Sequence, residues 1–165
     1  MTMKSFFLIT FILCTVPVLS QDVETLLDKG YEAYLESEYM TAVNYYSQAI
    51  DKNGSNPEAY FLRGISYHGL QEVEKAVNDL NKAIELEPEY VEAYQELGYI
   101  YLVGQAPKRA IEAFDKAIEL DPTSGEVYVN RGTAKCMLDD SAGAREDWKK
   151  ARELGVQYSE YMKCE

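Results

Sequence analysis

Histidine and tryptophan each occur once in this chain, cysteine occurs three times, and lysine and arginine nowhere form a basic run. Each scarcity excludes a class of function. A single imidazole, His68, rules out multi-histidine metal sites and leaves that ring without an evident acid–base partner in the sequence. Cys14, Cys136 and Cys164 form no CxxC pair, and a zinc site would have to recruit distant carboxylates at undefined spacing. With no basic face to neutralise phosphates, no nucleic acid partner is expected, and anionic membrane surfaces are disfavoured for the same reason. No nucleophile stands beside a base, and acidic residues such as Glu85, Glu87 and Glu89 are spaced as a solvated helix face. The sequence is therefore read as no enzyme, with no cofactor, no metal and no small-molecule substrate.

Long apolar stretches are scarce as well. The one at the start, Phe6 to Leu13, follows Lys4 and precedes Pro17 and the small residue Ser20. It is too short for a transmembrane helix of about 20 residues, and a basic residue, an apolar core and a small-residue boundary together read as a secretory signal over residues 1–20, cleaved before Gln21. Lipid attachment at Cys14 is the lesser alternative, because Leu13 is bulky where a lipoprotein signal places a small residue. Export would deliver the remaining thiols to an oxidising, periplasmic or extracellular compartment.

What the chain has in quantity is acid and apolar surface. Asp and Glu number 28 against 16 Lys and Arg, a net charge of −12, and 47% of the residues are hydrophobic. A chain of about 150 residues buries roughly 68–70% of its unfolded surface, so packing alone suffices to hold it. The acidic excess leaves basic partners or plain solubility as its uses.

A fixed period organises the rest. Gly30, Gly64, Gly98 and Gly132 lie 34 residues apart; so do Ala42, Ala76, Ala110 and Ala144, and again Ala49, Ala83, Ala117 and Ala151. Bulky residues keep the same step four before each glycine (Leu26, Tyr60, Tyr94, Tyr128) and four after each first alanine (Tyr46, Leu80, Phe114, Trp148). Small residues let two helices approach and large ones fill the hollows beside them. The spacing predicts helices over 22–36, 39–52, 57–70, 73–86, 91–103, 107–120, 125–138 and 141–154, with Asn56-Pro57 and Pro107 at helix starts and a short ninth helix over 157–164.

Tyr94-x-x-Leu97-Gly98-x-x-Tyr101, then Ala110-x-x-x-Phe114, then Pro122, resembles the tetratricopeptide repeat signature, and Tyr60, Gly64, Tyr67, Ala76, Leu80, Ala83 and Pro88 reproduce it one repeat earlier. The resemblance spans residues 22–158 and implies an all-α, right-handed solenoid of four antiparallel helix pairs, about 23–56, 57–90, 91–124 and 125–158, closed by a capping helix ending over 159–165. Departures sit mostly in the end repeats, whose outer faces lack a neighbour. Within the array, Arg63 and Arg131 replace the leucine before the glycine, and their stems are expected to cover apolar surface.

In this family the first helices of successive repeats line a concave surface that takes a peptide or a helix. Projected here, that surface holds Glu24, Leu27, Tyr31 and Tyr34; Glu58, Phe61, Ile65 and His68; Glu92, Gln95, Tyr99 and Leu102; and Glu126, Val129 and Thr133. A glutamate recurs at one rim every 34 residues, which suits a basic or amphipathic protein segment; alternatively the glutamates only favour the positive ends of their helices. Some relatives clamp the terminal carboxylate of chaperone tails with lysine and asparagine. Leu27, Tyr31, Phe61 and Gln95, with Asn130 isolated, are no cationic set, so no such activity is expected.

The stretch Asp147-Trp148-Lys149-Lys150-Ala151-Arg152-Glu153-Leu154-Gly155 and the late cysteine resemble exported tetratricopeptide proteins of Bacteroidetes-type bacteria. That resemblance implies a disulfide between Cys136 and Cys164 pinning the last helix; two unpaired buried thiols are the alternative. A scaffold that binds protein in the cell envelope is the leading functional reading. A self-associating structural repeat protein is the second, and an enzyme has the least support.

Overall fold

The computed structural model describes residues 16–157 and Cys164. Eight helices and no strand are present among them: α1 (Val16–Leu35), α2 (Tyr39–Lys52), α3 (Pro57–Gly69), α4 (Val73–Leu86), α5 (Val91–Val103), α6 (Pro107–Leu120), α7 (Gly125–Cys136) and α8 (Ser141–Glu153). They pack as antiparallel pairs, α1 on α2, α3 on α4, α5 on α6 and α7 on α8, and each pair leans on the next, which makes a solenoid.

The contact that sets each pair lies at the periodic glycine. A Cβ at Gly30 would stand 2.5 Å from the Tyr46 ring, and one at Gly132 would stand 2.6 Å from Trp148 Nε1. Gly64 faces Leu80 and Gly98 faces Phe114 in the same way. Both alanine registers are completely buried in all four repeats. The bulky side chain therefore lies across a bare backbone, and the alanines let the rest of the helix close down beside it.

Asn56 Oδ1 accepts from Ala59 N–H at 3.0 Å, so the Asn-Pro step starts α3 as its residues predict. The turns inside the repeats share a device that the residue types conceal. Ser37, Gln71, Gln105 and Asp139, again 34 apart, take left-handed φ of 62°, 62°, 55° and 62° although none is glycine. In each turn the residue after the left-handed one donates its N–H five residues back, as Glu72 does to Tyr67 O at 2.9 Å and Ala106 to Tyr101 O at 2.8 Å. These are Schellman closures that satisfy the last carbonyls of the helix.

Two helices differ from their sequence-based bounds. α1 begins at Val16 rather than near 22, with Pro17 in its first turn where a missing N–H is harmless. α7 stops at Cys136, two residues short, because its last turn tightens into i+3 bonds from Leu138 N–H to Lys135 O and from Asp139 N–H to Cys136 O. Cys136 is joined to Cys164 by a disulfide, with Cα atoms 5.3 Å apart. Of the ninth helix expected over 157–164, Gln157 and Cys164 are described and are not helical; residues 158–163 and the signal segment up to residue 15 lie outside the described residues.

Arg63 and Arg131 do more than cover apolar surface. Arg63 grips Asp79 bidentately, Nε to Oδ2 at 2.6 Å and Nη2 to Oδ1 at 2.9 Å, while Nη1 reaches Ser47 Oγ at 3.1 Å. Sixty-eight residues on, Arg131 grips Asp147 at 2.9 and 2.5 Å and extends Nη1 to Asp115 at 2.7 Å, with Lys135 Nζ also 2.8 Å from Asp147. Each arginine thus ties its own repeat to the second helix of the preceding one. The third repeat solves the same position with Leu97 and Ala113.

Gly98→Ala should lower stability by about 1–3 kcal/mol in urea unfolding, since Phe114 must move off the helix. Asp79→Ala, which strands Arg63 beneath the surface, should cost about 3 kcal/mol. Adding Arg63→Leu to it installs the third repeat's own pair and should recover most of that loss, a non-additivity measurable in a double-mutant cycle.

Candidate protein-binding groove

The first helices of the repeats, α1, α3, α5 and α7, touch one another in sequence and form one face. Along it the projected residues divide by depth. Glu24, Tyr31, Glu58, Glu92, Tyr99 and Glu126 are exposed, and Leu27, Tyr34, Phe61, Ile65, His68, Gln95, Leu102, Val129 and Thr133 are half-buried. Several of the second group serve the core as well. Leu27 packs on Val23, Ala49 and Ala59, Leu102 on Ala110 and Phe114, and Phe61 lies 5.0 Å from the Tyr90 ring. Tyr34 turns towards Tyr39, ring centres 5.5 Å apart. Tyr31 and Tyr99, 50% and 44% exposed, are the rings that stand free of the core.

His68 has the partner that its sequence neighbourhood did not show. Its Nδ1 stands 2.6 Å from Glu96 Oε1 on the next repeat, and since a carboxylate only accepts, that nitrogen carries the proton. The imidazole also meets the Tyr99 ring edge-on at 5.8 Å. Beyond this pair a cavity of about 280 Å³ opens between α5 and α7, walled by Gln95, Glu96, Tyr99, Glu126 and Asn130 with Phe114 at the side. Glu96 was missed because a stripe of one residue per turn passes over Gln95 and skips its neighbour. Only contact with the preceding repeat brings Glu96 into the groove.

The field in the groove is negative. Burial pushes the Tyr90 phenol up, and Glu58, Glu92 and Glu87 push it further. The Tyr46 phenol is raised by burial, with Tyr34, Tyr31 and Glu58 adding to it, and its hydroxyl is buried without a hydrogen-bond partner. Tyr34 is raised by burial and then by Glu96. Carboxylates from successive repeats thus act on shared ground. Glu58, Glu92 and Glu126 stand in the first turns of α3, α5 and α7, where the helix end favours them, and Glu24 lies two turns inside α1 as long as Val16–Ser20 is part of it.

Among the described residues no group of three or more His, Cys, Asp and Glu is placed to hold a metal, and no helix is long and apolar enough to cross a membrane.

Family models match along most of the repeat region: tetratricopeptide repeat models over residues 27–84, 91–124 and 113–146, and a TPR repeat model over 67–103. No curated protein matches by sequence. Solved structures do. A crystal structure of MamA superposes with a TM-score of 0.77 at 29% identity, covering 84% of this chain and 83% of that one. A second MamA structure gives 0.75 at 25% identity, over 87% and 82%. The first TPR of Spaghetti (RPAP3), bound to the HSP90 peptide SRMEEVD, gives 0.70 at 25% identity, over 73% and 98%.

Proposed function

Because the chain belongs to the tetratricopeptide repeat family, we propose that it is a non-catalytic scaffold whose concave face grips a basic, amphipathic protein segment. The observation that carries this reading is that Tyr31 and Tyr99, exposed and stiff, share one face with the exposed glutamates Glu24, Glu58, Glu92 and Glu126. Aromatic rings give contact area at low entropic cost, and the carboxylates select the sign of the partner. The groove departs from that of a protein holding a peptide such as SRMEEVD. Leu27, Tyr31, Phe61 and Gln95 offer no cation to a terminal carboxylate, and Glu96 and Glu126 would repel one.

The setting we propose is the envelope of a Bacteroidetes-type bacterium, reached by export. Lys4, the apolar stretch Phe6 to Leu13 and Ser20 support it, and the Cys136–Cys164 bond suits an oxidising compartment. Cleavage before Gln21 would remove Val16–Ser20 from α1 and leave Glu24 and Tyr31 on the shortened helix.

A lysine- and leucine-rich amphipathic peptide should bind in fluorescence titration, and Tyr31→Ala with Tyr99→Ala should weaken it by at least about tenfold. Phe61 is left intact because it supports Tyr90. Glu92→Gln with Glu126→Gln should weaken it too and flatten its salt dependence. Tighter binding of a peptide ending in acidic residues would overturn the reading.

A further inference from the structure

The four turns inside the repeats lie along one edge of the solenoid, and exposed large apolar side chains gather there. Leu35, Met40, Val73, Val103, Met137 and Leu138 all stand at or beside these turns. On this edge the junction between the second and third repeats is open. A cavity of about 460 Å³ lies between the start of α4 and the end of α5, walled by Val73, Val77, Ile100 and Tyr101 and bordered by Gly104 and Arg109.

The chain itself shows what fits such a space. One period earlier, Leu70 stands where Gly104 does and Tyr39 where Val73 does. The Tyr39 ring there covers Gly69 so closely that a Cβ would lie 2.9 Å from it, and Leu70 is half-buried. Gly104 is not demanded by its backbone, since its φ of −73° and ψ of 8° nearly repeat the −82° and −1° of Leu70. A Cβ on it would meet only the carbonyls of Ile100 and Tyr101. Val103 stands where Gly69 does and takes up part of the ring's place, so what the junction lacks is a leucine side chain at Gly104.

The same edge supplies a matching projection. At the first repeat's turn Leu35 is 64% and Met40 55% exposed, with Glu36 and Glu38, both exposed, between them. Beside the vacancy stand the exposed cations Lys108 and Arg109, the latter held by its Nη2 donating to Tyr101 Oη at 2.6 Å. Apolar side chains face a cleft that Val73, Val77 and Ile100 make largely apolar although Glu74 and Asn78 also line it, and Glu36 and Glu38 have Lys108 and Arg109 to face. In a two-fold dimer each pairing is made twice.

We propose that this edge is a self-association surface: Met40 and Leu35 of one copy seat in the cleft at Gly104 of a second copy, and Glu36 and Glu38 face its Lys108 and Arg109. It lies apart from the concave face and does not depend on what the groove binds.

Sedimentation equilibrium of the purified protein over a wide concentration range tests it. A reversible dimer is expected, weakened by added salt. Gly104→Leu, which fills the cleft from within, should raise the dimer dissociation constant by at least about tenfold without lowering the melting temperature. Lys108→Glu with Arg109→Glu should likewise yield monomer, and adding Glu36→Lys with Glu38→Lys should restore the dimer. A parent that stays monomeric at every concentration, or a dimer indifferent to Gly104→Leu and to the charge exchange, overturns the proposal.

Discussion

A bulky side chain laid across a glycine backbone, four times at intervals of 34 residues and three of them a ring, is the contact on which this structure depends. It sets how closely the two helices of a repeat approach, and the buried alanines on either side close only at that distance. Because the spacing inside every pair is the same, successive pairs stack in the same orientation and their first helices form one face. No repeat buries its apolar side alone. Clusters such as Ala76, Leu80, Ala93, Leu97 and Ile100 join the second repeat to the third, so the core is shared between neighbours.

That contact left a plain trace in the sequence, since glycine, alanine and bulky residues are distinct types and the period repeats them. Six of the eight helices end within a residue of the bounds that the period predicts. What the period did not carry was pairing between unlike residues. Arg63 with Asp79 and Arg131 with Asp147 are each 16 apart, and the two pairs are themselves 68 apart, so the signal was present at twice the period and hidden by Leu97 and Ala113 in the repeat between. His68 and Glu96 are 28 apart, a separation that does not match the period, and the stacking of α3 on α5 brings them together. The left-handed turns were illegible for another reason: Ser37, Gln71, Gln105 and Asp139 share a conformation but no residue type, and it is the hydrogen bonds behind them that hold it.

The residues projected onto the groove are uneven in depth. A helical stripe tells which side a residue is on, but a solenoid also wedges each first helix between its neighbours. Leu27, Phe61 and Leu102 therefore spend much of their surface on the core while Tyr31 and Tyr99 do not. The burial of a projected residue depends on what the adjacent repeat places opposite it, and no single repeat contains that information.

In a scaffold of near-identical units, the places where one unit breaks the pattern without a structural need are those that distinguish one surface from the next. Gly104 replaces a leucine whose backbone state it shares, so the vacancy beside it is a choice of side chain and not of fold. Glu24 continues the acidic ladder of Glu58, Glu92 and Glu126 at the same 34-residue step. The two features act on different faces with different physics. On the concave face carboxylates of several repeats reinforce one another and would repel the same face of another copy, whereas on the turn edge opposite charges stand repeats apart with apolar side chains among them. Like charge disfavours contact groove to groove, whereas the mixed charge of the edge does not disfavour contact there, so the proposed edge association would leave the groove free.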